Sequence, residues 1–255
     1  MWPRISSSGI LCLIATLICL PVQSKLSVLP HSWEFKINAG YNIGGTSPLP
    51  LPAEIRKIER YAPVGLALHG ALEATYWFDE KWGVSAQIAS DLKGFSVRDR
   101  VMSLWTEMET DNGQYTTGTF TGCNETNIRN TYLTLPAMAT YHLADNWYLQ
   151  AGIYAAWLYN SVFKGNASDG YLREGAPTGE KILVDFARFD FSEKQRLFDW
   201  GAIAAAEWNF SGWFFLRGQL AWGFVSVFPS DFTGMPFKMY NVYGTIAVSY
   251  RLGRL

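Results

Sequence analysis

Segments in which every second side chain is apolar or aromatic recur along this chain, joined alternately by three residues and by a dozen or more. In the clearest segment one face carries Trp33, Phe35, Ile37, Ala39, Tyr41 and Ile43, and the other carries Glu34, Lys36, Asn38, Gly40, Asn42 and Gly44. A period of two with charges on one face is typical of a strand between lipid and a polar interior, although a half-buried soluble strand shows it too. The number of segments and the lengths of their connections therefore decide the fold class.

Eight segments share this pattern, at about residues 33–44, 66–78, 82–93, 133–143, 147–159, 200–210, 214–224 and 240–252. Directly opposed residues of an antiparallel hairpin must share a face. The pairings that satisfy this rule all leave a three-residue turn: Phe78 opposite Trp82, Leu143 opposite Trp147, and Phe210 opposite Phe214. The last register also places Glu207 opposite Arg217. The sequence predicts an all-β fold, an eight-stranded antiparallel up-and-down transmembrane β-barrel.

The remaining connections are long, at about residues 46–64, 94–127, 162–198 and 226–238. Short turns of such barrels face the periplasm and long loops face the outside of the cell. In residues 97–108, Arg98 and Arg100 lie on one face and Asp99 on the other, and residues 182–191 also have charges on both faces. A charge on the lipid face costs up to a few kcal/mol, so neither segment should span the membrane. Whether they continue as strands above the membrane is open at this point.

Aromatic residues form 16% of the chain, and a barrel places them in girdles at the two membrane interfaces. The girdle predicted near the periplasmic turns consists of Trp77, Phe78, Trp82, Trp147, Tyr148, Trp208, Phe210, Trp213 and Phe214. The opposite girdle consists of Tyr41, Trp157, Tyr159, Trp200, Trp222 and Phe224. Outer-membrane lipid is therefore the first expected partner.

The N-terminus has the composition of a secretory signal peptide. Residues 1–24 contain a lone charge at Arg4 and an apolar run from Ile10 to Val22, so we expect cleavage after Ser24 and a barrel domain at residues 25–255. Cys123 is then the only cysteine of the mature chain, which excludes an intrachain disulfide or a cysteine-based metal site. We expect no metal and no cofactor. The net charge of −1 argues against nucleic-acid binding.

Charged residues on the inward faces form the obvious polar group of the predicted interior: Glu34, Lys36, Glu73, Asp91, Lys93, Glu207, Arg217 and Arg251. Their mixed signs favour a paired network that fills the narrow lumen of an eight-stranded barrel, over a charge-selective pore. Glu34 on the first strand and Arg251 on the last lie where those strands must meet, so we expect them to be close.

Inward-facing histidines raise the alternative of a lipid-modifying enzyme, since His69 and Glu73 share a face and His142 lies nearer the periplasmic end. No G-x-S-x-G or similar nucleophile motif accompanies them. We therefore predict no catalytic residues and no enzyme activity.

Four strand and turn motifs of this chain have the form of a known family: Gly40-Tyr-Asn-Ile-Gly-Gly-Thr-Ser-Pro-Leu-Pro-Leu-Pro-Ala-Glu-Ile-Arg56, Tyr132-Leu-Thr-Leu-Pro-Ala-Met-Ala-Thr-Tyr141, Phe198-Asp-Trp-Gly-Ala202 and Met239-Tyr-Asn-Val-Tyr-Gly-Thr-Ile-Ala-Val-Ser-Tyr-Arg-Leu252. With these motifs the chain resembles the PorT-type outer-membrane β-barrel family of Bacteroidota from about residue 33 to the C-terminus. One family member is implicated in protein export, and no catalytic set comes with the family. The resemblance implies an outer-membrane protein whose extracellular loops bind or scaffold an envelope or export protein; a narrow solute channel is the alternative.

Overall fold

In the computed structural model, which describes residues 28–63, 65–109, 115–175 and 177–255, the chain is built from antiparallel strands. These are β1 Ser32–Pro48, β2 Ile55–Pro63, β3 Leu68–Trp77, β4 Trp82–Glu109, β5 Tyr115–Ala144, β6 Trp147–Asn160, β7 Phe163–Glu174, β8 Lys181–Asp190, β9 Phe198–Asn209, β10 Phe214–Gly223 and β11 Met239–Arg254. One 3-10 turn lies at Ser192–Lys194. None of the described residues forms a helix that is long and apolar enough to cross a membrane. The predicted signal peptide, residues 1–24, lies outside the described residues.

Eight strands pair in a closed ring, in the order β1, β3, β4, β5, β6, β9, β10, β11 and back to β1. Each of the eight predicted segments lies in one of these strands, and the all-β antiparallel prediction is confirmed. We call the end of the ring with the short turns, near residues 78–82, 144–147 and 209–214, the turn end. The opposite end is the loop end. Both Trp33 and Leu255 lie at the turn end, where their backbones exchange two hydrogen bonds.

The predicted hairpin registers are confirmed in two cases and modified in the third. Phe78 pairs with Trp82 and Phe210 with Phe214 through backbone hydrogen bonds. In the β5–β6 hairpin, His142 lies opposite Tyr148 as predicted, but Ala144 then pairs with Trp147. The three-residue turn predicted there is wrong, because a bulge at Leu143 adds one residue to β5 and shortens the turn to residues 145–146.

Three of the four predicted long loops are largely strands. β4 and β5 are 28 and 30 residues long and stay paired beyond the ring, from Phe95 opposite Ile128 up to Glu109 opposite Tyr115. β2 pairs with this part of β4, β7 pairs with β5, and β8 pairs with β7 and touches β4. We call this assembly the upper sheet. Residues 224–238, which include the fourth predicted loop, contain no strand.

The upper sheet has its own apolar packing, which explains why it is ordered beyond the ring. Two clusters of buried side chains hold it together, one of Val101, Leu104, Met108, Phe120, Ala167, Leu172, Val184 and Ala187, and one of Phe95, Ile128, Phe163, Phe191, Val227, Phe228 and Met239. The second cluster ties residues of the 224–238 connection to the mouth of the ring. Water can solvate the outer face of these strands, so charges on both faces do not prevent strand formation.

Candidate functional site

An ion cluster fills the lumen at the turn end of the ring. Its centre is Arg217 on β10, whose Nη1 donates to Glu207 Oε1 at 2.6 Å and to Glu73 Oε2 at 3.0 Å. Lys36 Nζ lies 2.6 Å from Glu207 Oε2 and 3.8 Å from Glu73 Oε1. These side chains are buried and come from β1, β3, β9 and β10. They lie at the inward positions of strands that face each other across the ring, so the cluster blocks the lumen.

Glu34 extends the cluster to the closure between the first and last strands of the ring. Its Oε2 accepts a hydrogen bond from Arg254 Nε at 2.9 Å and forms an ion pair with Arg251, whose Nε lies 3.0 Å away, so Glu34 and Arg251 are close, as the sequence predicts. The sequence analysis missed Arg254, because even-numbered positions of β11 face outward. A bulge between Phe35 and Lys36 shifts the register and places Arg254 opposite Glu34.

Amide side chains complete the hydrogen bonding of Glu73. Gln87 Nε2 donates to it at 2.5 Å and Gln150 Nε2 at 2.9 Å, and Asn38 Nδ2 lies at 3.4 Å. A buried charge is tolerated where opposite charges and hydrogen bonds replace its hydration. Glu73 and Glu207 meet that condition, since both oxygens of each carboxylate accept hydrogen bonds.

Asp91 and Lys93, predicted as members of one interior network, form a separate cluster nearer the loop end. Asp91 Oδ1 lies 2.7 Å from His69 Nδ1 and accepts from Asn42 Nδ2 at 3.2 Å. Lys93 has no carboxylate within ion-pair distance among the described residues; its ammonium instead faces three tyrosine rings at 5.0–5.5 Å, those of Tyr132, Tyr154 and Tyr243. The prediction of a single network is therefore wrong, because aromatic rings, which parity does not identify as cation partners, surround Lys93.

Little space remains between these two clusters. The cavity beside His69 and Asp91 has a volume of about 10 Å³, which is room for about one water molecule. Asp199, a buried acid that the sequence analysis missed, accepts from Tyr154 Oη and Asn241 Nδ2 at 3.0 Å each. His142 lies elsewhere, stacked on Tyr148 at 4.7 Å. No acyl chain fits beside the His69–Asp91 pair.

A much larger cavity, of about 400 Å³, opens at the loop end above the lysine and its tyrosines. Its walls are the last residues of β1, the strand β2, and the upper parts of β4 and β5. The lining is mostly apolar and includes Ile55, Ile58, Tyr61, Phe95, Val97, Leu104, Ile128, Phe163, Met235, Phe237 and Met239. Its polar side chains include Asp99, Asn124 and Thr126. A cavity of this size with a few convergent polar groups is typical of a small-molecule site.

Asp99 is the distinctive group of this cavity. It lies on the upper part of β4, beyond the ring, opposite Ile58 of β2 and Asn124 of β5. Asn124 Nδ2 donates to Asp99 Oδ1 at 3.3 Å, and the carboxyl group is buried. Burial raises the pKa of Asp99 to about 6, since charge is disfavoured away from water. The prolines at 48, 50 and 52 carry the chain past this cavity, where Pro48 and Leu51 line it.

Aromatic side chains form two outward rows on the ring. Near the turn end, the contacts run from Trp147 to Trp208, Phe210, Phe214 and Tyr250, with centroid distances of 5.0–6.4 Å, and the Trp82 ring packs at a tilt against Tyr141 at 4.6 Å. Trp157, Trp200 and Trp222 are exposed nearer the loop end. Two residues predicted in the first row, Trp77 and Tyr148, are instead buried inside the ring with Phe215. Trp77 and Tyr148 occupy inward positions of β3 and β6, and both side chains are therefore buried although they lie close to the short turns.

Among the described residues, no group of three or more histidine, cysteine, aspartate or glutamate side chains could hold a metal ion. Cys123 is buried and has no disulfide partner. The ion cluster and its amide donors occupy the lumen, and the apolar cavity at the loop end is the candidate functional site.

The sequence matches the family model of the outer membrane protein beta-barrel domain over residues 22–229. No curated protein matches the chain. Among solved structures, the chain is similar to the attachment invasion locus protein Ail of Yersinia pestis in complex with the heparin analogue sucrose octasulfate, with a TM-score of 0.37 and 11% identity over 88% of this chain and 100% of that one. It is also similar to the CymD monoaromatic hydrocarbon channel, with a TM-score of 0.21 and 9% identity over 97% and 93%. Both likenesses are distant.

Proposed function

Because the chain belongs to the outer membrane protein beta-barrel domain family, we propose that it is a closed eight-stranded barrel whose loop end binds a ligand or a partner outside the cell. The turn end then faces the periplasm and the upper sheet projects above the membrane, since short turns of outer-membrane barrels are periplasmic. The ion cluster serves as a plug and not as a pathway.

The spacing of the aromatic rows supports a membrane position for the ring. Trp147 and Trp157 lie ten residues apart on β6, which is about 33 Å along a strand. A strand tilt of about 40° reduces this to about 25 Å across the membrane, the height of the apolar band of outer-membrane barrels. Between the two rows the outward residues are apolar, including Leu149 and Ile153.

The observation that carries the proposal is the filled lumen. The ion cluster occupies the turn end, and the space above it holds about one water molecule. A solute that enters from the loop end therefore meets a floor, and the protein acts by holding something at that end. The resemblance to the PorT-type family favours a partner in protein export or envelope assembly. The proposal includes no catalytic step.

Electrical recording from planar bilayers tests this proposal, after outer-membrane fractionation and heat-modifiable gel migration have identified the folded barrel. We expect no discrete channel openings from the full chain. A variant that combines Lys36→Ala, Glu207→Ala and Arg217→Ala removes most of the plug, and where it folds it should conduct. Discrete openings of the unmodified protein would overturn the closed-barrel proposal, and recovery in a soluble fraction would overturn the membrane position.

A further inference from the structure

The loop-end cavity is a cup with a closed floor. It lies above the lysine and its three tyrosines, and the ion cluster closes the lumen below them. The floor excludes transit, so a molecule that enters the cavity must leave by the same mouth. Exposed apolar side chains, Leu51, Ile58 and Tyr61, form the rim. Tyr61 Oη donates to Gly44 O at 2.5 Å and connects β2 to β1 across the mouth.

Asp99 is the one charged side chain among the described residues that line this cup. Its neighbours along β4, Arg98 and Arg100, point to the opposite face of the strand, because successive side chains alternate. There both arginines pair with Glu59, at 3.6 and 2.8 Å. Asp99 therefore has an amide donor but no cation within ion-pair distance among the described residues.

We infer that this cup binds a small amphiphile that has a compact apolar body and a protonated amine that pairs with Asp99. The apolar body packs against the aromatic and aliphatic lining, which includes Phe95, Phe163 and Phe237. The ammonium supplies the positive charge that the buried carboxylate lacks. This inference deepens the proposed function, since it rests on a cup that opens outside the cell.

The negative charge of Asp99 predicts an order of affinity among ligands with different head groups. A ligand with a hydroxyl head can donate one hydrogen bond to Asp99 but leaves the charge unpaired, so it should bind more weakly than the amine. A ligand with a carboxylate head meets a like charge in an apolar surrounding and should not bind. Since the pKa of Asp99 is about 6, the carboxyl group is mostly ionised at pH 7.

The test compares 3-phenylpropylamine, 3-phenylpropanol and 3-phenylpropanoate by isothermal titration against the full chain refolded in lipid nanodiscs. Empty nanodiscs give the contribution of partition into lipid. Asp99→Asn removes the charge at nearly constant shape, and Leu104→Trp fills the cavity from its wall. Asp190→Asn is the matched control, because Asp190 is an exposed carboxylate of the upper sheet that pairs with Lys164 at 3.0 Å and lies outside the lining.

We expect saturable binding of the amine that weakens about 10- to 100-fold in Asp99→Asn, as loss of a charged hydrogen bond implies, and that is unchanged in Asp190→Asn. Leu104→Trp should weaken the amine and the alcohol together. Absence of saturable amine binding, equal binding by Asp99→Asn, or tighter binding of the acid would overturn the inference. If the amine does not bind and the bilayer recording shows no channel openings, this inference is wrong and the closed-barrel proposal stands. If the recording shows channel openings and the amine binds in an Asp99-dependent way, only the closed-barrel proposal is overturned.

Discussion

Replacing Arg217 by methionine tests whether the buried ion cluster holds the ring together. Methionine is unbranched and apolar, so the variant removes the guanidinium while it keeps much of the side-chain length. The change removes the donors to Glu207 at 2.6 Å and to Glu73 at 3.0 Å. It also removes the two donors to Gln219 Oε1, at 2.9 and 3.2 Å.

The expected loss in the free energy of unfolding depends on the partners that each carboxylate keeps. Removing one partner of a buried ion pair costs about 3–5 kcal/mol, because the remaining charge has neither water nor a counter-ion. Here Glu207 keeps Lys36 at 2.6 Å, and Glu73 keeps donors from Gln87 and Gln150. We therefore expect a loss near the lower end, about 3 kcal/mol in the free energy of unfolding.

A surface ion pair of similar length is the matched control. Arg60 Nη2 lies 2.7 Å from Glu125 Oε1, and the two side chains are 60% and 40% exposed. Exposed pairs contribute about 0–1 kcal/mol, so Arg60→Met should cost less than about 1 kcal/mol. The two variants delete the same group from ion pairs of nearly equal distance, one buried with further partners and the other exposed.

Urea titration of the barrel in lipid vesicles, read from the heat-modifiable fraction on gels, gives the free energies. Where Arg217→Met does not fold, Arg217→Lys retains a charge and should fold with an intermediate loss. Adding Glu207→Gln to Arg217→Met should cost less than the sum of the two single changes, because the residues share one interaction. A loss below about 1 kcal/mol in Arg217→Met, or equal losses in the two arginine variants, would refute the role assigned to the buried charges.

Two further variants test the upper sheet and the membrane band. The folded chain keeps the Asp99 proton up to pH about 6 and the unfolded chain only up to about 3.8. The free energy of unfolding should therefore fall by about 2 kcal/mol as the pH rises from 4 to 7, and Asp99→Asn should remove that slope in urea titrations at each pH. Ile153→Arg places a charge midway between the aromatic rows and should cost about 2–4 kcal/mol, whereas Leu183→Arg, at an exposed site on β8, should cost almost nothing; equal costs would contradict the membrane position.

Local patterns were enough to predict the ring strands. The two-residue period assigns each side chain to a face, and the short turns then allow few registers, which is why Glu207 and Arg217 could be paired from the sequence. The same rule fails where a bulge adds a residue. Arg254 was missed and the turn after Leu143 was misjudged for this one reason.

The upper sheet and the cup could not be predicted, because a charge pattern that rules out a strand inside the membrane does not rule out a strand above it. Charges on both faces exclude a lipid-facing strand, but they are compatible with a strand whose outer face lies in water. Asp99 is one of the charges that exclude residues 97–108 from the membrane-spanning strands and leave their conformation above the membrane open. In the structure it is the inward charge of a strand.

The two-residue period and the short turns are enough to predict which side chains of the regular strands face inward, which strands form short hairpins, and that the lumen carries charges of both signs. They do not predict which of those charges meet: Lys36 with Glu207 across the ring, Lys93 with three tyrosines, and Asp99 with no counter-ion among the described residues. The face of a side chain depends on its position along its own strand. Contacts across the lumen depend instead on how eight strands, with their bulges, are staggered around the ring.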